Sequence, residues 1–253
     1  MLSLGEGLVR DQTFKAGVSG FQPDDLKGLK LWLRPGVRIF QDLSASVPAD
    51  SVGDPVALWE DQSGGDFDLS QGDSTARPVL QRRGDGTPFV KTDGTSQYLE
   101  QASSLTGGSQ NRTLFIKGLS TDAVSNNPIL NQGYSGFSGE TFSLTNETGV
   151  RVGGGNRIWG NDPFTSRGVL SIILDGTGTL DLVAYLDGSL LTPTNSNAQS
   201  IDTASEWFWL GARADNAAGD VADYGAVEIE SVLLYNRALP GDERQQVEEY
   251  LLV

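Results

Sequence analysis

The chain has 253 residues; 38% are apolar, enough for one sizeable core, and 32 are glycine, which favours short strands joined by tight turns. Its 33 acidic and 18 basic side chains leave a net charge of −15, a surface that repels phosphate backbones and anionic membranes, so neither nucleic acid nor membrane is an expected partner. There is no cysteine and no histidine, which excludes disulfides, thiolate nucleophiles, Cys/His zinc sites and every Ser-His-Asp arrangement.

Residues 1–26 mix charge, glycine and isolated apolar residues and end in the turn-like Gln22-Pro23-Asp24-Asp25. They are expected to form an N-terminal arm that either wraps its own domain or docks on a partner. Glu6 and Gly7 stand where an export signal would have its apolar stretch, so none is expected. No run approaches the ~18 apolar residues of a membrane span.

Residues 27–253 are expected to form one domain. It opens on the alternating Leu29–Leu33, followed by short strand-like runs at 56–59, 67–69, 88–90, 98–99, 113–116, 129–130, 141–144 and 157–159. Stronger runs lie at 169–174, 180–186, 207–210 and 227–235. Clusters of Gly, Asn, Asp or Pro separate them, the spacing of a β-sandwich. Asp187-Gly188 signals a tight hairpin, because a type I′ turn needs positive φ at both positions. The stretch 241–252 is the one good helix, with Val247, Tyr250 and Leu251 on one face and Asp242 and Glu243 in the first turn, where the dipole favours them.

Three segments in order carry a resemblance. They are Gly28-Leu29-Lys30-Leu31-Trp32-Leu33 with Trp59-Glu60-Asp61-Gln62-Ser63-Gly64, then Thr92-Asp93-Gly94-Thr95-Ser96-Gln97-Tyr98-Leu99, and finally residues 226–239, which close on Tyr235-Asn236-Arg237-Ala238-Leu239. Together they resemble the concanavalin A-like, laminin G-like jelly-roll modules. The resemblance implies an all-β, antiparallel two-sheet jelly-roll sandwich with one short C-terminal helix. Two positions depart from the pattern: Arg34-Pro35 replaces an acidic residue after the first strand, and Pro240 stands where a capping serine is usual. Asp61 and Asp93 precede Gly-rich turns, where a short carboxylate accepts backbone N–H bonds two residues on, and turn-holding is the preferred explanation of both.

Laminarinase-type hydrolases resemble this fold and place two catalytic carboxylates on one strand with an E-x-D-x-x-E pattern. Here the comparable strand is Glu228-Ile229-Glu230-Ser231-Val232-Leu233, with leucine where the second glutamate belongs. Glu228 and Glu230 share a face and are expected to be the solvent side of an edge strand, so no enzyme activity is expected. Modules of this kind often hold Ca2+ on a rim loop. Residues 213–223 offer Asp215, Asn216, Asp220 and Asp223 as oxygen ligands, against the simpler role of a solvated acidic loop. For a glycan the candidate stretch is 153–162, where Asn156, Trp159, Asn161 and Asp162 combine an aromatic face with polar turn residues, against the simpler reading that Trp159 packs against a loop. Trp207 and Trp209 point to one face of their strand and Phe208 to the other, so only one of those faces is core.

A domain of a type that normally works outside cells, with an arm and no export signal expected, suggests a phage-type virion surface protein, a capsid decoration or tail component. Residues 1–26 would anchor it to other virion structural proteins, and the sandwich would touch host glycans. The alternative is an extracellular polysaccharide-binding module or a laminarinase-like hydrolase.

Overall fold

Alternating apolar residues decide which face of each strand turns inward, and two antiparallel sheets result. The computed structural model describes residues 20–103, 105–121, 127–133, 142–146, 149–152, 155–159, 166–203, 207–214 and 219–253. The smaller sheet runs Ser189–Leu190, Leu182–Leu186, Gly168–Leu174, Arg112–Ser120, Val227–Tyr235, Pro88–Lys91, Val79–Arg82, with Leu29–Leu33 also paired to Val227–Tyr235. The larger runs Asn195–Asn197, Gly155–Ile158, Gly149–Val152, Phe142–Thr145, Pro128–Gln132, Phe208–Leu210, Leu99–Gln101, Leu69–Ser70, Leu58–Trp59, Ile39–Phe40. A separate hairpin pairs Ala212–Ala214 with Val221–Tyr224. Among the described residues the one α-helix is Gly241–Leu252. The all-β sandwich with a C-terminal helix is therefore present as expected.

The main core lies between the sheets, where Leu31, Ile116, Ile229 and Val232 meet Leu99, Leu130, Phe142 and Phe208. Asp187 and Gly188 both have positive φ, 46° and 79°, and close the hairpin between Leu182–Leu186 and Ser189–Leu190.

Val227–Tyr235 is the central strand of the smaller sheet, with Arg112–Ser120 on one side and both Leu29–Leu33 and Pro88–Lys91 on the other. Its register with Arg112–Ser120 jumps between Ile229↔Gly118 and Ser231↔Lys117, so Glu230 is an extra residue, a β-bulge. The bulge changes the parity of the strand. Val227 and Ile229 face the main core before it and Val232 and Leu234 after it. Glu228, Glu230 and Ser231 are thereby placed on the outer face.

The helix covers the other part of that outer face. Val247 and Leu251 pack on Phe115, Val169 and Leu233 in a second core. Pro240 gives the helix no side-chain cap, and Glu243 instead pairs with Arg237. Residues 20–26, assigned to the arm by sequence, join this second core. Phe21 meets Tyr250 edge-on at 6.2 Å, Leu26 packs alongside, and the buried Tyr235 hydroxyl donates to the Pro23 carbonyl at 2.9 Å. Residues 1–19 lie outside the described structure.

The bulge brings two backbones so close that a Cβ at Gly118 would overlap the Glu228 carbonyl oxygen. Gly118→Ala is therefore expected to lower the unfolding free energy by about 2 kcal/mol or more, read from denaturant melts, because backbone rather than a flexible side chain must move.

Candidate ligand-binding face

Directly opposed residues of antiparallel strands project to the same face. The register Ser70↔Glu100, Glu100↔Trp209, Trp209↔Asn131, Asn131↔Ser143 therefore sets these side chains in a row across the larger sheet, on the face turned away from the main core. Through Arg151 the register continues to Asn156 and then Asn197. Alternation explains the placement: Phe142 and Leu144 flank Ser143, and Phe208 and Leu210 flank Trp209, and all four flanking residues belong to the main core.

The centre of the row is fully buried, since Trp209, Asn131 and Ser143 are each 0% exposed. Trp209 donates from its indole N–H to Glu100 Oε2 at 3.1 Å and stacks on Trp207, with ring centroids 5.3 Å apart and planes 18° from parallel. Asn131 donates to the Gly133 carbonyl at 2.7 Å. Its carbonyl oxygen Oδ1 and the Ser143 hydroxyl are buried without a hydrogen-bond partner, as is Oδ1 of Asn156. A buried polar atom left unpaired costs about 1–3 kcal/mol, so these oxygens are places for an ordered water. Burial also pushes the Glu100 carboxyl above its ordinary range, opposed by the Trp209 hydrogen bond. Burial likewise raises Asp68, which accepts from the Asp61 backbone N–H at 2.8 Å and lies among the carboxylates of Glu60, Asp61 and Asp66.

The structure brings few of the sequence candidates together. Trp159 is 6% exposed and part of the main core, so the exposed aromatic platform expected there does not exist. Its indole ring fills the sandwich, where an apolar surface of that size is most stable. Asn156 does reach the row, while Asn161 and Asp162 lie outside the described residues. In the acidic loop, Asp223 belongs to the strand Val221–Tyr224 and pairs with Arg213, Asp220 is exposed, and Asp215 and Asn216 lie outside the described residues. Among the described residues no group of three or more carboxylates gathers as a metal site.

Glu228 and Glu230 are not the solvent face of an edge strand. The strand is central, Glu230 is 0% exposed, and both carboxylates are clasped by cations from other strands and loops. Arg167 approaches Glu230 with Nε at 2.7 Å and Nη2 at 2.9 Å, joined by Arg83 at 3.1 Å and Lys117 at 3.7 Å. Glu228 pairs with Arg83 and with Lys91 at 3.1 Å. Asp61 and Asp93 are turn-holders. Asp61 accepts from the backbone N–H groups of Trp32 and Ser63, both at 2.8 Å, and Asp93 from those of Thr95, Ser96 and Gln97.

No family model and no characterised protein sequence matches the chain. Solved structures do. The binding domain of Paraclostridial Mosquitocidal Protein 1 is similar with a TM-score of 0.53 at 12% identity, over 90% of this chain and 52% of that one. Domain 4 of AbnA, an extracellular arabinanase from Geobacillus stearothermophilus in complex with arabinotriose, gives 0.51 at 13%, over 88% and 98%. The sialidase of Trypanosoma rangeli in complex with 2,3-difluorosialic acid gives 0.52 at 14%, over 88% and 33%, so the chain spans about a third of the sialidase. The chain has a lectin-like β-sandwich fold. At these identities the likeness extends to the fold alone.

Glu100→Gln retains a carbonyl oxygen for the Trp209 indole and removes a desolvated charge. A carboxyl raised in the folded state binds its proton longer than in the unfolded chain, so its ionisation lowers stability as pH rises above the ordinary value of 4.5. The variant is expected to melt higher than the parent at pH 7 and no differently below about pH 4, as thermal unfolding across that range would show.

Proposed function

We propose that the chain is a non-enzymatic glycan-binding module whose ligand lies across the row from Glu100 to Asn156 on the outer face of the larger sheet. The observation that carries this is the pair of unpartnered oxygens, Asn131 Oδ1 and Ser143 Oγ, on directly opposed residues. Hydroxyl groups are suited to them, because each both donates and accepts. In this reading the two oxygens reach the sugar through an ordered water, which bridges nearly as well as a direct bond, and the half-buried Asn156 flanks them. Two of the similar structures, the binding domain of a mosquitocidal protein and an arabinanase domain in complex with arabinotriose, support the choice of class.

Catalysis by paired carboxylates needs two free acids at a set separation. Glu228 and Glu230 are bound by cations, and the raised Glu100 is perturbed by burial and Trp209 alone among the described residues. Placement on a virion surface, attached through residues 1–26, and Ca2+ on the loop 213–223 remain parts of the proposal that rest on the sequence.

Calorimetry against neutral oligosaccharides, starting with arabinotriose, tests the assignment. The double variant Asn131→Ala, Ser143→Ala is expected to weaken binding roughly tenfold or more while remaining folded. Wild-type affinity in that variant would sink the site. Release of reducing ends by the parent chain, abolished in Glu100→Gln or Glu228→Gln, would show an enzyme instead.

A further inference from the structure

A pocket of about 410 Å3 opens on the outer face of the smaller sheet, with Val79, Gln81, Phe89, Lys91, Asp93 and Gln97 in its lining. The pairings Val79↔Lys91, Gln81↔Phe89 and Lys91↔Glu228 place its strand residues on the face that carries the buried ion network. What distinguishes the pocket is its unused hydrogen-bonding capacity, which is mostly that of donors.

Lys91 Nζ has three N–H groups and spends one on Glu228 Oε1 at 3.1 Å. Behind the lining, the guanidinium of Arg83 lies over the Phe89 ring, 4.1 Å from its centroid, and holds that ring in place. The side-chain amides of Gln81 and Gln97 make no hydrogen bond among the described residues. The acceptor that would balance them, Asp93, is already saturated. Its two oxygens take the backbone N–H groups of Thr95, Ser96 and Gln97 and the hydroxyls of Thr95 and Ser96. Although burial alone would raise it, these donors hold the Asp93 carboxyl well below the usual carboxylate range, so it stays charged and occupied.

We infer that this pocket is a second ligand site, which takes the carboxylate or sulfate of an acidic saccharide, with Lys91 as its counter-charge and Gln81 and Gln97 bonding the sugar hydroxyls. An oxoanion supplies acceptors for the two Lys91 N–H groups left open, and charge-assisted bonds to an ammonium are stronger than neutral ones. The row of the larger sheet, whose carboxylate Glu100 is bonded to Trp209, and this pocket centred on Lys91 would then select different sugars.

The test is calorimetric titration of the full chain with an oligomer of galacturonic acid, the matching galactose oligomer, and inorganic sulfate. The acidic oligomer is expected to bind, more weakly at high salt, with sulfate competing and the galactose oligomer not engaging these side chains. Lys91→Gln and the double variant Gln81→Ala, Gln97→Ala are each expected to weaken it roughly tenfold, and the Asn131→Ala, Ser143→Ala variant to leave it unchanged. The two glutamine side chains make no hydrogen bond among the described residues, so that variant, checked for an unchanged melting temperature, answers the question even if Lys91→Gln unfolds. Unchanged affinity in the glutamine variant, loss of binding in the Asn131→Ala, Ser143→Ala variant, or sulfate binding without the oligomer would each overturn the assignment.

Discussion

The burial of Glu230 at the centre of the smaller sheet is the constraint around which the rest is arranged. Taking a carboxylate out of water costs several kcal/mol unless good hydrogen bonds replace the lost solvation. Here the replacements come from three places: Arg83, which follows Val79–Arg82, Lys117 on Arg112–Ser120, and Arg167, which precedes Gly168–Leu174. Each cation reaches the same carboxylate only if its own strand is in register. The network therefore couples the order of the sheet to the position of one bulged residue. Removing a single partner leaves an uncompensated charge and is far more damaging than the net value of the pair suggests. Burial lowers the Lys117 ammonium even as Glu230 raises it, a measure of how little solvent reaches this cluster.

The same arrangement divides the surfaces by chemistry. The outer face of the smaller sheet is shared between the helix Gly241–Leu252 and the ion network, and Glu248 bridges the helix to the sheet by accepting from Ser171 at 2.6 Å. Between the sheets, Arg112 closes one margin with no carboxylate partner among the described residues. It bonds the carbonyls of Gly108 and Gln110 and the Thr203 hydroxyl and lies over Phe142, and burial brings its guanidinium down to about 10. With these charges committed to structure, the centre of the row on the larger sheet is left to an amide, a hydroxyl and an indole, with Glu100 bonded to that indole.

Much of the fold was legible because its signals are local. The Asp187-Gly188 turn, the helix face of Val247, Tyr250 and Leu251, and the turn-holding of Asp61 and Asp93 all depend on neighbours within a few residues, and all are present. Asn195–Asn197 carries no apolar residue, and Ala212–Ala214 is too short for its alternation to stand out. The acidic pair was misjudged for a different reason. Its counterions lie 63 to 147 residues away in the chain, so nothing near Glu228 and Glu230 reports that they are buried. Trp159 was misjudged because polar turn residues surround it in sequence while apolar ones surround it in space. Glu100, Asn131 and Ser143 are one polar residue from each of three strands, which forms no motif. Only the alternation Trp207-Phe208-Trp209, with one face necessarily outside the core, pointed to that side of the sheet.

That alternation also explains how the row is kept rigid. Trp207 has φ of 64°, a left-handed conformation that is strained for so bulky a residue and persists only where the surroundings enforce it. The enforcing contacts are visible: Gly133 donates its N–H to the Trp207 carbonyl at 3.0 Å, Trp209 stacks against the ring, and a Cβ on Gly219 would strike that ring. Trp209 is fixed in turn by Glu100 on one side of the row, and Asn131 by Gly133 on the other. Side chains locked in this way lose little conformational entropy when a partner arrives, so unpaired oxygens set among them bind more tightly than the same groups on a mobile loop. Strain in the backbone beside the row and unsatisfied oxygens within it thus fall on the same face of the larger sheet, the face proposed to take a ligand.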